Sequence, residues 1–262
     1  MVTGLQTRAS LVRQFRSLGL RPGQTVLLHS SLRSLGWVCG GARTVVLSLL
    51  DVLGAGGTLV VPAFTPENRD PSRWADPAIP AEWWPAIRRS LPPYDPATSS
   101  CRSLGLIAET VRTWPGAARS PHPQTSFAAV GARAESLTAR HDLDCELGEE
   151  SPLAALEAAG AYVLLLGVGY DRCTALHLAE YRLPWRTPRD NACVMSTPSG
   201  RRWVRYVGVQ LSIDGFDELG ADFEQRPGAV AVGPVGAATA RLLPLPEVVG
   251  FAVDWLIKNR RS

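Results

Sequence analysis

Between Gly160 and Gly167 the chain reads Ala161-Tyr162-Val163-Leu164-Leu165-Leu166, an apolar run with no polar face. That pattern suits a strand buried on both sides, which limits the chain to folds that can cover such a strand twice. A turn then leads to a helix, for which Thr174 is the expected cap. His177 and Glu180 are three positions apart, so on that helix they share a face within reach of each other. Taken alone, the pair is more often structural than catalytic, because helical glutamates usually face water and lone histidines usually serve a hydrogen bond.

The remaining elements follow from periodicity and punctuation. A helix is expected over 7–18, with Leu11, Phe15 and Leu18 on one stripe and Gly19 as its stop. Strands at 25–29 and 58–62 joined by a helix at 42–53 predict a parallel pair with a right-handed crossover. The first strand delivers the chain into Ser30-Ser31-Leu32-Arg33-Ser34-Leu35-Gly36. In open α/β sheets ligands gather at the carboxyl ends of strands, and this loop suits phosphate or amide oxygens as well as it suits a plain connection. Neither G-x-x-x-x-G-K-[ST] nor G-x-G-x-x-G occurs, against a nucleoside triphosphatase or a dinucleotide enzyme.

From 62 to 98 the chain is dense in proline, aspartate and tryptophan, which predicts a packed, irregular excursion wrapping the site. A helix at 103–114 follows. His122, fixed between Pro121 and Pro123, is expected on an exposed, stiff loop before a strand at 127–130. Helices at 132–140 and 152–159, a hairpin within 190–210, an acidic helix at 214–225, short strands near Val230 and Leu242, and a last helix at 245–259 complete the reading. That helix has Val248, Val249, Ala252, Trp255 and Leu256 to bury.

No linker divides the 262 residues, so a single domain over 1–262 is expected, with the 45% hydrophobic and 19% charged content of a soluble protein. No apolar segment approaches a membrane span, and Met1-Val2-Thr3 opens no secretory signal, which makes the cytoplasm the expected location. The five cysteines are scattered and never form a C-x-x-C pair, so they read as free thiols. A net charge of +3 with dispersed arginines gives no reason to expect nucleic acid. Carboxylates recur at Glu67, Asp70 and Asp76, at Asp142, Asp144, Glu146, Glu149 and Glu150, and at Asp214, Asp217, Glu218, Asp222 and Glu224. Such groups are usually just solvated; several converging on one cleft would suit a cationic ligand.

These residues together resemble the aminoglycoside 3-N-acetyltransferase family, which is distinct from the GNAT acetyltransferases. The resemblance spans almost the whole chain. Its pieces are His29-Ser30-Ser31-Leu32-Arg33-Ser34-Leu35-Gly36, Gly56-Gly57-Thr58-Leu59-Val60-Val61-Pro62-Ala63-Phe64, Arg119-Ser120-Pro121-His122-Pro123 with Ser126-Phe127-Ala128-Ala129-Val130-Gly131, Gly148-Glu149-Glu150-Ser151-Pro152-Leu153, and Leu164-Leu165-Leu166-Gly167-Val168-Gly169 running into Thr174-Ala175-Leu176-His177-Leu178-Ala179-Glu180. It implies an α/β fold with a mixed or parallel central sheet flanked by helices, acetyl-coenzyme A as donor, the 3-amine of a 2-deoxystreptamine antibiotic as acceptor, a role in resistance, and no metal. It leaves a homodimer open.

Residue by residue, the family's base falls on His177 and its orienting carboxylate on Glu180. Its coenzyme A loop falls on Ser31 to Gly36, next to Ser30, with Ser103, Leu104, Arg119, Ser120 and Phe127 as further contacts. His29 and His122 match binding or structural positions. Cys173 departs from the pattern, since many members carry Asn there. Asp70, Asp171, Asp217 and Glu224 are the acceptor-side candidates, and the expected cleft is positive at a donor end (Arg33, Arg102, Arg119) and negative at the other.

The implied chemistry needs a base, because an amine protonated near neutral pH has no lone pair with which to attack a thioester. An imidazole with an ordinary pKa of about 6.5 suits that task, and a carboxylate on its other nitrogen fixes the tautomer. Donors from the Ser30 to Gly36 loop or Thr174 suit the oxyanion. Two rival readings remain: an acyl-enzyme formed on Cys173, and a relative that binds a polyamine or amino sugar without acetylating an antibiotic.

Overall fold

The computed structural model describes residues 4–74 and 79–260. Met1, Val2, Thr3, Asp76 and Pro77 of the sequence reading lie outside the described residues. In chain order the elements are α1 (Arg8–Leu18), β1 (Thr25–Ser30), α2 (Gly41–Leu53), β2 (Thr58–Pro62), α3 (Trp84–Ser90), α4 (Leu106–Arg112), β3 (Ala118–Arg119), β4 (Phe127–Gly131), α5 (Ala134–Thr138) and α6 (Pro152–Ala158). They continue with β5 (Tyr162–Leu166), α7 (Leu176–Tyr181), β6 (Pro188–Thr197), β7 (Gly200–Val209), α8 (Phe216–Glu224), β8 (Ala231–Val235), β9 (Ala238–Pro244) and α9 (Leu245–Asn259).

A mixed sheet in the order β3-β4-β2-β1-β5-β9-β8 forms the centre. β1 runs parallel to both β2 and β5, whereas β4 and β9 pair antiparallel on the outer flanks of that trio. The apolar run of β5 is explained by its place: Val163 and Leu165 join a core under α5 to α9, while Leu164 and Leu166 join a second core under α1, α2 and α4. Alternate side chains of a strand point to opposite faces, so a strand with a core on each side is apolar at successive positions where the two cores cover it. β1 does the same, with Leu27 in one core and Val26 and Leu28 in the other.

Thr7 caps α1 through Ser10, and Gly19 ends it at φ 117°, a left-handed conformation that favours glycine. The helix expected over 103–114 is divided by Gly105, whose φ of 105° separates a turn at Arg102–Leu104 from α4. The excursion after β2 contains α3, in which Pro85 sits in the first turn, where no backbone donor is required. It is tied to the β6-β7 hairpin: Asn68 receives the N–H of Val194 at 2.8 Å and donates to its carbonyl at 3.0 Å, and the Trp203 indole donates to Arg88 O at 2.6 Å. Among the described residues no helix is long and apolar enough to cross a membrane.

Candidate active site

Because β1, β2 and β5 are parallel, their carboxyl ends emerge on one side of the sheet, carrying His29 and Ser30, Phe64, and Val168. After β5 a turn at Tyr170–Arg172 leads to α7, whose N-terminus has Ala175 as its cap and no side-chain hydrogen bond. The expected Thr174 cap is therefore not made; Thr174 instead lines a cavity.

On α7 the His177 Nδ1 lies 2.5 Å from Glu180 Oε2, with the two side chains 15% and 4% exposed. The other oxygen of Glu180 accepts the backbone N–H of Ser212 at 3.0 Å and a guanidinium N–H of Arg260. Arg260 is itself held by the carbonyl oxygens of Ser212 and Asp214 and lies over the Phe216 ring, whose centroid is 5.1 Å from that of His177. With Nδ1 donating to Glu180, the lone pair of His177 is on Nε2.

Two cavities meet at this ring, and Phe64 and His177 line both. The first, of 430 Å³, has apolar walls from Leu28, Val61 and Leu104 and hydroxyls from Ser30, Ser103 and Thr174. His29 also lines it; burial, and secondarily the nearby His177, lower its pKa to about 3, so the ring is neutral. Its Nε2 is buried and has no hydrogen-bond partner among the described residues. The second cavity, of 400 Å³, is bounded by Arg69, Glu146, Arg189, Leu211 and Ser212. Burial raises the pKa of Glu146 against the opposing pull of Arg69 and Arg189.

Of the residues expected at a donor site, Ser30, Ser103 and Leu104 line the first cavity. Ser31, Leu32, Arg33, Ser34, Leu35 and Gly36 form the adjoining turn: Ser34 bonds Ser31 Oγ at 2.9 Å and Gly167 O at 3.1 Å and lines a groove that shares Val168 with that cavity, while Leu35 is buried in the core. Arg119, Ser120 and Phe127 lie elsewhere. The Arg119 guanidinium is committed to Ser126 Oγ and the carbonyls of Pro96, Ser99 and Ala63, the Ser120 hydroxyl bonds His141 and the Phe127 N–H, and Phe127 is core. The expected exposed loop at His122 is also corrected: the ring is buried, its Nδ1 accepting the N–H groups of Gln124 and Thr125 at 3.1 and 3.0 Å.

The four acceptor-side candidates do not converge. Asp70 is paired with Arg88, Asp171 lines the first cavity beside Arg172, Asp217 accepts the N–H groups of Tyr170 and Asp171, and Glu224 is paired with Arg241. Residue-level reading missed Arg69, Arg189 and Arg260 altogether, had Phe64 only as the last residue of a matched motif with no role, and saw Glu146 only as one of many carboxylates. A basic residue in an irregular stretch, or after the last helix, carries no periodic signal of its partner. Cys173 is in the core, and burial pushes its thiol up to about 12.

Residues 27–257 match the family described as aminoglycoside 3-N-acetyltransferase. A prophage-derived aminoglycoside N(3')-acetyltransferase-like protein of Bacillus subtilis strain 168, YokD, is 41% identical over 255 residues, covering 97% of this chain and 93% of that protein. The YokD crystal structure superposes with a TM-score of 0.95 at 39% identity, covering 100% of this chain and 97% of its own. The structure of AAC-IIIb in a binary complex with CoASH gives a TM-score of 0.87 at 33% identity over 99% of this chain and 100% of that one. AAC-VIa bound to sisomicin gives 0.87 at 31% identity, with the same coverage. A family match over most of the chain, joined to relatives of this identity and coverage, means that the chain belongs to the aminoglycoside 3-N-acetyltransferase family of acyltransferases.

Proposed function

We propose that this chain transfers an acetyl group from acetyl-coenzyme A to the 3-amine of a 2-deoxystreptamine aminoglycoside, in the cytoplasm, with His177 as general base and Glu180 as the residue that orients it. The observation that carries this reading is the single imidazole lining two cavities with its second nitrogen held by a buried carboxylate.

The first cavity fits a pantetheine arm, which is narrow, apolar in part and studded with amides: Leu28, Val61 and Leu104 give the apolar wall, and Ser30, Ser103 and Thr174 give hydroxyls. The Ser31 to Gly36 turn and Arg172 at its margin suit the polar remainder of the donor. Acetyl-coenzyme A supplies the acetyl group as an activated thioester. His177 Nε2 faces the acceptor, takes the proton from its ammonium, and leaves a neutral nucleophile; Glu180 stabilises the imidazolium that results. His29, on a ring that stays neutral, lines the same cavity, and its buried Nε2 is a polar atom left unpaired among the described residues. Acetylation removes a positive charge from the antibiotic, which is the chemical basis of a resistance role.

Direct transfer in a ternary complex is favoured over an acyl-enzyme on Cys173. A thiol with a pKa of about 12 is ionised in about one molecule in 10⁵ at pH 7, and the side chain is buried. Thiol release measured with a panel of aminoglycosides, followed by location of the acetyl group, tests the function. His177→Ala is expected to lower turnover about 10²- to 10⁴-fold while acetyl-coenzyme A binding by calorimetry is retained. Near-normal turnover in that variant would remove the base from the mechanism, and silence with every amine would favour a binding protein.

A further inference from the structure

A third cavity, of 450 Å³, adjoins the second and shares Arg69 and Arg189 with it. Five arginines line it, Arg69, Arg73, Arg88, Arg189 and Arg205, against two aspartates, Asp70 and Asp190. Asp70 is taken by Arg88 in a bidentate pair, Nε to Oδ2 at 2.8 Å and Nη2 to Oδ1 at 2.7 Å. Four guanidiniums then face one remaining carboxylate. The Nε of Arg189 is buried with no hydrogen-bond partner among the described residues, and within them Arg69 takes part through its carbonyl, which accepts the Trp74 indole N–H at 3.2 Å, and not through its guanidinium. Burial lowers the pKa of Arg69 against the opposing pull of Glu146, which lines the second cavity. A group of like charges built over one hollow, with donors left unmade, is complementary to a polyanion, and paired guanidiniums match the oxygens of a phosphoryl group in particular.

We infer that this cavity holds the phosphoryl group of an acceptor, so that the chain acetylates primary amines that carry a phosphate within reach of the second cavity. The inference rests on acetyl transfer at His177 and extends the acceptor range beyond aminoglycosides. The new bond is between the amine nitrogen and the acetyl carbon, and the bond broken is from that carbon to the coenzyme sulfur. Going from ammonium to amide, nitrogen sheds two protons: one passes through His177 Nε2 to the departing thiolate and the other is released to solvent, so no further reactant is needed.

The test has a binding arm and a turnover arm. Inorganic phosphate, titrated calorimetrically into the unliganded protein, is expected to bind saturably. Arg205→Gln and Arg73→Gln, both at exposed positions, are expected to weaken it about tenfold each with an unchanged Tm. Acetyl-coenzyme A affinity should be the same in both variants. In thiol-release assays, glucosamine 6-phosphate should exceed glucosamine in kcat/KM at least tenfold, and Arg205→Gln should erase most of that preference. Absence of saturable phosphate binding overturns the inference, as does equal turnover of the two sugars, or loss of acetyl-coenzyme A binding in Arg205→Gln, which would assign the arginines to the donor. Turnover of aminoglycosides alone overturns it while leaving acetyl transfer intact. Phosphate binding that is lost in the variants, with no turnover of any amine, keeps the anion site and overturns acetyl transfer at His177 together with the acceptor assignment.

Discussion

His29, His122 and His141 are neutral in the folded protein because each ring is buried, with pKa values lowered to about 3, about 3 and about 4. In the unfolded chain the ordinary value is about 6.5. Above that pH the difference has no effect on stability. As pH falls below it, the unfolded chain binds protons that the native state refuses, so each ring costs stability at up to about 1.4 kcal/mol per pH unit until its folded value is reached. Tm should therefore fall progressively from pH 6.5 toward 4, and His122→Asn, which keeps an acceptor near the Nδ1 position for the amides of Gln124 and Thr125, should make that decline shallower. A Tm unchanged over this range would contradict the burial argument. His122 also shows why some side chains were illegible in the sequence. Two flanking prolines fix the backbone of a residue but not whether its ring faces solvent, and here the decision belongs to contacts with His141 and Tyr206, both far along the chain.

At the level of elements, α7 is too short to hold its own orientation, and the Glu180 carboxylate is secured from outside by Arg260, just beyond α9. Arg260→Ala is expected to lower kcat about tenfold and to shift the pH profile of kcat/KM, with KM for acetyl-coenzyme A nearly constant and Arg260→Lys partly restoring the rate. A change in Tm alone, with normal kinetics, would reduce Arg260 to a structural clamp. In the turn that precedes α7, the Tyr170 ring is packed so closely by Gly220 of α8 that a methyl group there has no room. Gly220→Ala should destabilise the fold by about 1–3 kcal/mol, measured by denaturant unfolding. The elements most legible in the sequence were those with an uninterrupted period: α1, α2, α9 and the parallel strands β1, β2 and β5. The break in the 103–114 helix was not, because an isolated glycine is compatible with a helix until its φ is known, and the Thr174 cap failed because one turn of tighter helix precedes α7.

For the whole molecule, two cores on opposite faces of one sheet leave the carboxyl ends of β1, β2 and β5 as the place where chemistry can be exposed, and the excursion after β2 with the β6-β7 hairpin closes over it. That outline was legible from uninterrupted apolar runs and the turn residues between them. The sign of the cleft was not: carboxylates counted along the chain proved to be spent on Arg88, Arg241 and backbone N–H groups, while arginines from the excursion and from both hairpin strands gathered in one hollow. Local charge counts say nothing about which side chains neutralise one another across such distances. Because His177 and Phe64 belong to two chambers rather than one, the proposed mechanism separates the traffic of the two substrates. Spent coenzyme should compete with fresh thioester and leave the amine's entrance free, giving competitive inhibition against the first and a noncompetitive pattern against the second. A conjugate tethering pantetheine to an amine would occupy both entrances at once, threading past a single ring, and should outbind either half by far more than their separate affinities suggest.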